Sequence, residues 1–222
     1  MWSMRRGVAV LAAAAVLGAA AAALADRGRE QIRYKAADQA AARATVLRLT
    51  DLSPSTGWTG GRVKPDLSPG PTCPSYHPKQ SDLVLTGAAQ SSYRRGAVVI
   101  GNEIQVMKTR RMVRLDWQRE VLAPGTIACQ RLDLARSLGS SAKVVSFERI
   151  PFPRIARYTA EFRALVDVSV SGKTAHLVVD AVLVGRGRNE ISLTTLAPAA
   201  ARASLAAAER RLARRIAARA RA

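Results

Sequence analysis

His77 and His176 are the only two imidazoles in the chain, the side chains whose unperturbed titration falls nearest neutral pH. His176 and Asp180 could supply two members of a Ser–His–Asp set, but they stand four residues apart in a strand-like stretch. On a strand that spacing separates them by about 13 Å. No Gly-x-Ser-x-Gly elbow accompanies them. Asp167 and Asp180 would form a carboxylate pair if they met across a hairpin, although a solvated strand face accounts for both equally well. Gly185-Arg186-Gly187-Arg188 is a basic turn, without the strand–loop–helix setting or the Lys-Ser/Thr of a phosphate cradle. The chain is therefore expected to have no catalytic residues, no cofactor and no resident metal.

Cys73 and Cys129 are the only cysteines. Free thiols or a metal site are the alternatives to a disulfide. For a metal, Cys73 has only His77 nearby, and Cys129 has no Cys or His at ligand spacing. The compartment favours the disulfide. Arg5 and Arg6 precede an apolar run from Val8 to Leu24, ending in Ala23-Leu24-Ala25 before Asp26. A positive start, an apolar middle and small residues at a cleavage point are the order of a secretory signal. Residues 1–25 are read as that signal. The alternative is an uncleaved anchor, for which the Ala-rich run offers little lipid affinity. In an oxidising compartment an even pair of cysteines most simply forms one bridge.

The chain of 222 residues carries 35 Lys and Arg against 16 Asp and Glu, for a net charge of +19. Without residues 1–25, which contain Arg5 and Arg6 and no acid, 33 basic side chains face 16 acidic ones, leaving +17. Nucleic acid, anionic lipid or an acidic wall polymer would each suit such a charge. Export argues against nucleic acid, and the excess of Arg over Lys reads mainly as solvated surface. The densest basic segment is the C-terminal stretch, where Arg210, Arg211, Arg214, Arg215 and Arg219 stand beside a narrow stripe of Leu205, Leu212 and Ile216. That helix is the candidate contact for anionic lipid or wall polymer.

The elements that would hold these residues follow from periodicity. Residues 28–48 are rich in Ala, Arg, Gln and Glu and read as an exposed helix, so 26–50 is assigned as a helical stalk or linker. Residues 51–80 carry turn chemistry, with Asp51-Leu52-Ser53-Pro54, Gly57-Trp58-Thr59-Gly60-Gly61 and Pro69, Pro71, Pro74 and Pro78. Trp58 is expected to be a packing plug. A strand is expected over 97–107, helices over 109–122 and 127–138, and strands from Lys143 onward. Phe162, Ala164, Val166 and Val168 alternate with Glu161, Arg163, Asp167 and Ser169, the pattern of a half-buried antiparallel strand. Turns at 171–173 and 185–189 then make a three-strand meander. Pro198 opens the terminal helix, assigned to 199–222. The expected fold is α+β, a curved antiparallel sheet with helices packed on one side, and the domain is assigned to 51–198.

Several short motifs together resemble the extracellular sensor-like domains of actinobacterial envelope proteins, among them that of the mycobacterial Ser/Thr protein kinase H. They are Leu52 through Gly57-Trp58, Cys73, the helical segment around Trp117, Cys129, Pro151-Phe152-Pro153 and Arg186-Gly187-Arg188. The resemblance spans roughly residues 50–196. It implies a non-enzymatic domain with a curved antiparallel sheet and a cleft for an unidentified envelope ligand. The chain departs from the kinase group in forming at most one disulfide and in having no kinase domain. A monomer outside the cytoplasmic membrane is expected, and no ligand residue can be transferred.

Overall fold

The computed structural model describes residues 30–67, 73, 76, 78–170 and 172–220. The signal segment, residues 26–29, His77 and Arg221 lie outside the described residues. Among the described residues no helix is long and apolar enough to cross a membrane.

Eight strands form one open, mixed, curved sheet, and the fold is α+β. The first hairpin joins β3 (Val84–Arg95) to β4 (Val98–Met107). A four-strand meander follows: β5 (Ala142–Ile150), β6 (Tyr158–Val170), β7 (Lys173–Arg186) and β8 (Asn189–Pro198). Its last strand returns to pair with β4, giving the order β3-β4-β8-β7-β6-β5. The outer edge of β3 takes β1 (Gln31–Ile32) in parallel and β2 (Thr59–Val63) in antiparallel pairing. The turn that joins β7 to β8 has Arg186 opposite Asn189. It leaves two residues between the strands and needs the positive φ of Gly187, 62°, which glycine adopts at little cost.

Four helices cover this sheet. α1 (Ala36–Thr45) lies on β3 and β4, and α4 (Arg202–Arg219) lies on β7 and β8 beside it. α2 (Arg110–Asp116) begins at Thr109, whose Oγ1 accepts from the Met112 backbone N–H. It runs into a wider π turn at Trp117–Val121. α3 (Thr126–Leu138) then packs along β5 and stops at Gly139, φ 66°.

The helices occupy both faces of the sheet, where the sequence suggested one. Successive strand residues point to opposite faces. On β7, Val182 and Val184 join Leu212, Ala213 and Ile216 of α4 in one core. Val179 and Ala181 of the same strand meet Leu134 and Leu138 of α3 and Trp117 of the π turn, respectively, on the other side. Trp117 and Tyr158 rest against each other with ring centroids 5.5 Å apart. The polar alternation of β6 misled the expectation, because Glu161 and Arg163 are buried rather than solvated.

The N-terminal helix is not a stalk. Ala42, Val46 and Leu47 sit in the same core as α4, so no packing boundary falls at residue 50. Ala-rich α1 approaches β3 so closely that a Cβ on Gly87 would come within 2.5 Å of the Asp38 backbone. A helix of small residues can come that near only to a strand that is equally bare. Trp58 does pack against this core, with the Arg95 guanidinium 4.8 Å from its ring centre.

Candidate functional site

Cys73 and Cys129 are joined in a disulfide, their Cα atoms 5.7 Å apart. The bridge ties α3 to the Pro-rich segment, and a disulfide suits an oxidising compartment. His176 does not meet Asp180. It lies directly opposite Asp167 on β6, and its Nδ1 is 2.6 Å from Asp167 Oδ1. The imidazole is 68% exposed, and among the described residues no serine hydroxyl hydrogen-bonds to it. Asp167 and Asp180 do not face each other either, because Asp180 stands opposite Arg163.

That second pair belongs to a buried ionic cluster beneath α4. Arg163 Nε and Nη2 donate to Asp180 Oδ1 and Oδ2 at 2.6 and 2.7 Å. Glu161 Oε1 lies 3.6 Å from Arg163 Nη2. From α4, Glu209 accepts a hydrogen bond from the Thr195 hydroxyl of β8. Burial pushes the Glu161 carboxyl up to about 7, reinforced by Asp180 and Glu209. Burial likewise raises Glu209. Glu161, Asp180 and Glu209 bring carboxylate oxygens within 4.8 Å of one another, a spacing that could hold a metal ion. The guanidinium of Arg163 already grips Asp180 with two bonds, so the cluster has its cation and reads as a structural network.

On the opposite face, Glu103, Gln105, Glu190 and Ser192 of β4 and β8, with Asp116, Trp117 and Glu120 of α2 and the π turn, line a small cavity of about 60 Å³. Its polar groups largely engage one another. Gln80 Nε2 donates to Asp116 Oδ1 at 2.8 Å and also to Glu120, and Gln105 donates to Glu103 at 3.1 Å. Burial, with the neighbouring charges of Asp116, Glu30 and Glu120, holds the Glu190 carboxyl well above its ordinary range.

The basic helix divides in two. Arg210, Arg211 and Arg214 point to solvent, while Arg215, still exposed, brings Nη1 to 3.4 Å from the Asp51 carbonyl oxygen and 3.7 Å from its carboxylate. Arg219 turns inward: Nη1 and Nη2 donate to Asp51 at 2.7 and 2.8 Å, and Nε and Nη2 reach the Thr45 carbonyl. Burial opposes the Asp51 charge, but the bonds from Arg219 and from the Arg48 backbone N–H outweigh it and hold the carboxyl below its ordinary range. Arg219 is thus a clamp between α4 and the end of α1, not a surface contact. Arg188 does similar duty, bonding Asp38 at 2.6 Å and the Met107 carbonyl at 2.9 Å. Charge runs in a sequence cannot separate such clamps from solvated arginines, because both share one spacing.

Sequence reasoning missed the feature most open to a ligand. Between α3 and the edge strand β5 lies a groove of about 1040 Å³. Leu122, Ile127 and Leu132 border it while 52%, 42% and 44% exposed. Val144 and Phe147 form its floor. These two are three apart and would point to opposite faces of a regular strand. The bulge between Val144 and Ser146 restores them to one side, opposite Val166 and Ala164 of β6. A signal existed in the sequence, since Leu132 lies off the Leu134–Leu138 stripe, but helical period alone does not say that a face stays uncovered.

No protein-family model, curated protein or solved structure matches the chain.

Proposed function

We propose that the protein is an exported, non-catalytic binding domain, sensor-like in character, that works in the cell envelope or as a secreted protein and takes a small ligand into the groove between α3 and β5. The observation that carries this reading is the groove itself: large apolar side chains left exposed around a concavity of ligand size. The order of charge, apolar run and small residues over 1–25 supports export. The disulfide between Cys73 and Cys129 supports an oxidising compartment. The absence of catalytic activity is favoured by the way the titratable groups are used, since Glu161, Arg163, Asp180 and Glu209 are spent on one another beneath a helix. Native mass spectrometry of protein purified without detergent tests the reading. A retained small molecule is expected, and its loss on Leu132→Ser would place it in the groove. Protein that retains nothing and shows no ligand-induced thermal shift with envelope extract would sink the proposal.

The exposed row Arg210, Arg211, Arg214 and Arg215 favours a second reading, a cationic protein that adheres to anionic lipid or wall polymer through α4. Replacing these four by Gln should then abolish sedimentation with anionic vesicles, and unchanged sedimentation would exclude it.

A further inference from the structure

We infer that the groove between α3 and β5 is a site for a single-chain lipid with an anionic head, the acyl chain lying along α3 and the head held by Arg131 and Arg149. This rests on the proposed reading of the molecule as a binding domain and names the ligand class that reading leaves open.

Shape is the first argument. The α3 residues that line the groove run from Thr126 to Ala135, so at 1.5 Å per residue its wall is about 15 Å long. Ile127 and Leu132 stand on that wall and Phe147 on the floor. The result is an elongated apolar trough open on one side, suited to a flexible chain more than to a compact polar ligand. Its volume of about 1040 Å³ matches the upper end of small-molecule sites, roughly 300–1,000 Å³.

Charge is the second. The groove is lined by Arg131, Lys143 and Arg149 and by no acidic residue. All three cations are exposed, and among the described residues none of them forms an ion pair. Elsewhere in this molecule Arg163, Arg188 and Arg219 are each clamped by a carboxylate. Lys143 stands opposite Asp167, on the other face of the sheet from Val144, which leaves Arg131 and Arg149 beside the apolar trough. Two unpaired cations there complement an amphiphile whose one end is a long hydrocarbon and whose other end is a carboxylate or phosphate.

The edge strand gives the third. β5 ends the sheet on that side and would otherwise invite an extended peptide to add a strand. The bulge at Val145 interrupts the ladder that such a peptide would need. The same bulge is what turns Phe147 into the groove, so the distortion disfavours the peptide and builds the trough.

Isothermal titration of the purified protein with decanoate, dodecanoate and tetradecanoate, below micelle formation, tests the assignment. Each pair of methylenes should tighten binding by about fifteenfold, following roughly fourfold per buried methylene. Dodecyltrimethylammonium should bind about tenfold more weakly than dodecanoate, and the gap should shrink with added salt. Leu132→Ser and Ile127→Ser alter exposed side chains and should weaken every amphiphile. Arg131→Ala with Arg149→Ala should remove the preference for the carboxylate while keeping the chain-length dependence. Equal affinity of the wild-type protein for the two head groups would overturn the anionic assignment and leave the binding-domain reading standing. If no dodecyl amphiphile binds while native mass spectrometry still finds a retained molecule, the lipid assignment alone falls. Competition by an acidic extended peptide, with no effect of dodecanoate, would replace the trough by the strand edge. Failure of both measurements overturns the groove as a site.

Discussion

Arg163 of β6 and Asp180 of β7 stand directly opposite each other and share two hydrogen bonds, at 2.6 and 2.7 Å, under the cover of α4. Both side chains are almost wholly buried, at 7% and 4% exposure. Removing the cation alone would leave Glu161, Asp180 and Glu209 together in a water-poor site. Arg163→Ala should therefore cost about 3–5 kcal/mol of stability. Arg163→Met combined with Asp180→Leu, which removes both charges, should cost clearly less. Urea unfolding midpoints of the three proteins check the order, and a double variant no better than Arg163→Ala would show that packing, not charge, is responsible.

The same cluster sets a pH dependence. Glu161 ordinarily titrates near 4.5 and is pushed up to about 7 by burial and by Asp180 and Glu209. Burial also raises Asp133, to about 6. Folded protein then binds more protons than unfolded chain between about pH 4.5 and 7, so stability should fall as pH rises through that window. The fall due to Glu161 should be on the order of 2–3 kcal/mol. Glu161→Gln should flatten the profile and raise stability above pH 7. The groups facing it are Arg163, Asp180, Glu209 and Arg210, and none of these four is altered by that change. Unfolding midpoints measured at several pH values provide the check.

Reduction of the Cys73–Cys129 bridge, which spans 56 residues, should cost about 4 kcal/mol by the loop-closure estimate. Guanidinium unfolding of the native protein and of Cys73→Ser with Cys129→Ser measures it. A loss well under 1 kcal/mol would mean that the Pro-rich segment is held by contacts other than the bridge.

Deleting residues 199–222 should abolish cooperative unfolding, because Leu212, Ala213, Ile216 and Ala217 belong to the main core. Arg219→Ala should be destabilising, through loss of the Asp51 clamp. Gln at 210, 211 and 214 should instead leave stability within about 0.5 kcal/mol, as for ordinary surface changes. Thermal melts of the three proteins separate the structural role of α4 from any role of its outer face.

Much of this architecture is legible along the chain where burial imposes a period. The expected strand over 97–107 and helices over 109–122 and 127–138 correspond to β4, α2 with its π turn, and α3. The meander from Lys143 to Pro198 is present with its turns where Gly172 and Gly187 stand. β3 was not legible. Its centre, Gly87-Ala88-Ala89-Gln90-Ser91-Ser92, is small and polar without alternation, because α1 rests against it and leaves no space for larger side chains. The pairing of Cys73 with Cys129 was legible because only one pairing was possible.

By itself the sequence determined the element order from β4 to α4, the single bridge and the apolar stripes, since these depend on neighbours along the chain and on a period of 2 or 3.6. Tertiary structure decided what each polar residue does. Glu161 and Arg163 alternate like solvated residues and are buried because α4, some forty residues later, folds across them. Arg219 shares a basic run with Arg210, Arg211 and Arg214, yet it is drawn inward by Asp51, far away in the chain. Ile127 and Leu132 look like core and remain exposed because no later segment among the described residues covers them. His176, the obvious candidate for chemistry, was placed by strand register opposite Asp167 and away from Asp180. Periodicity records that a side chain has a partner surface, and only the fold says which surface that is.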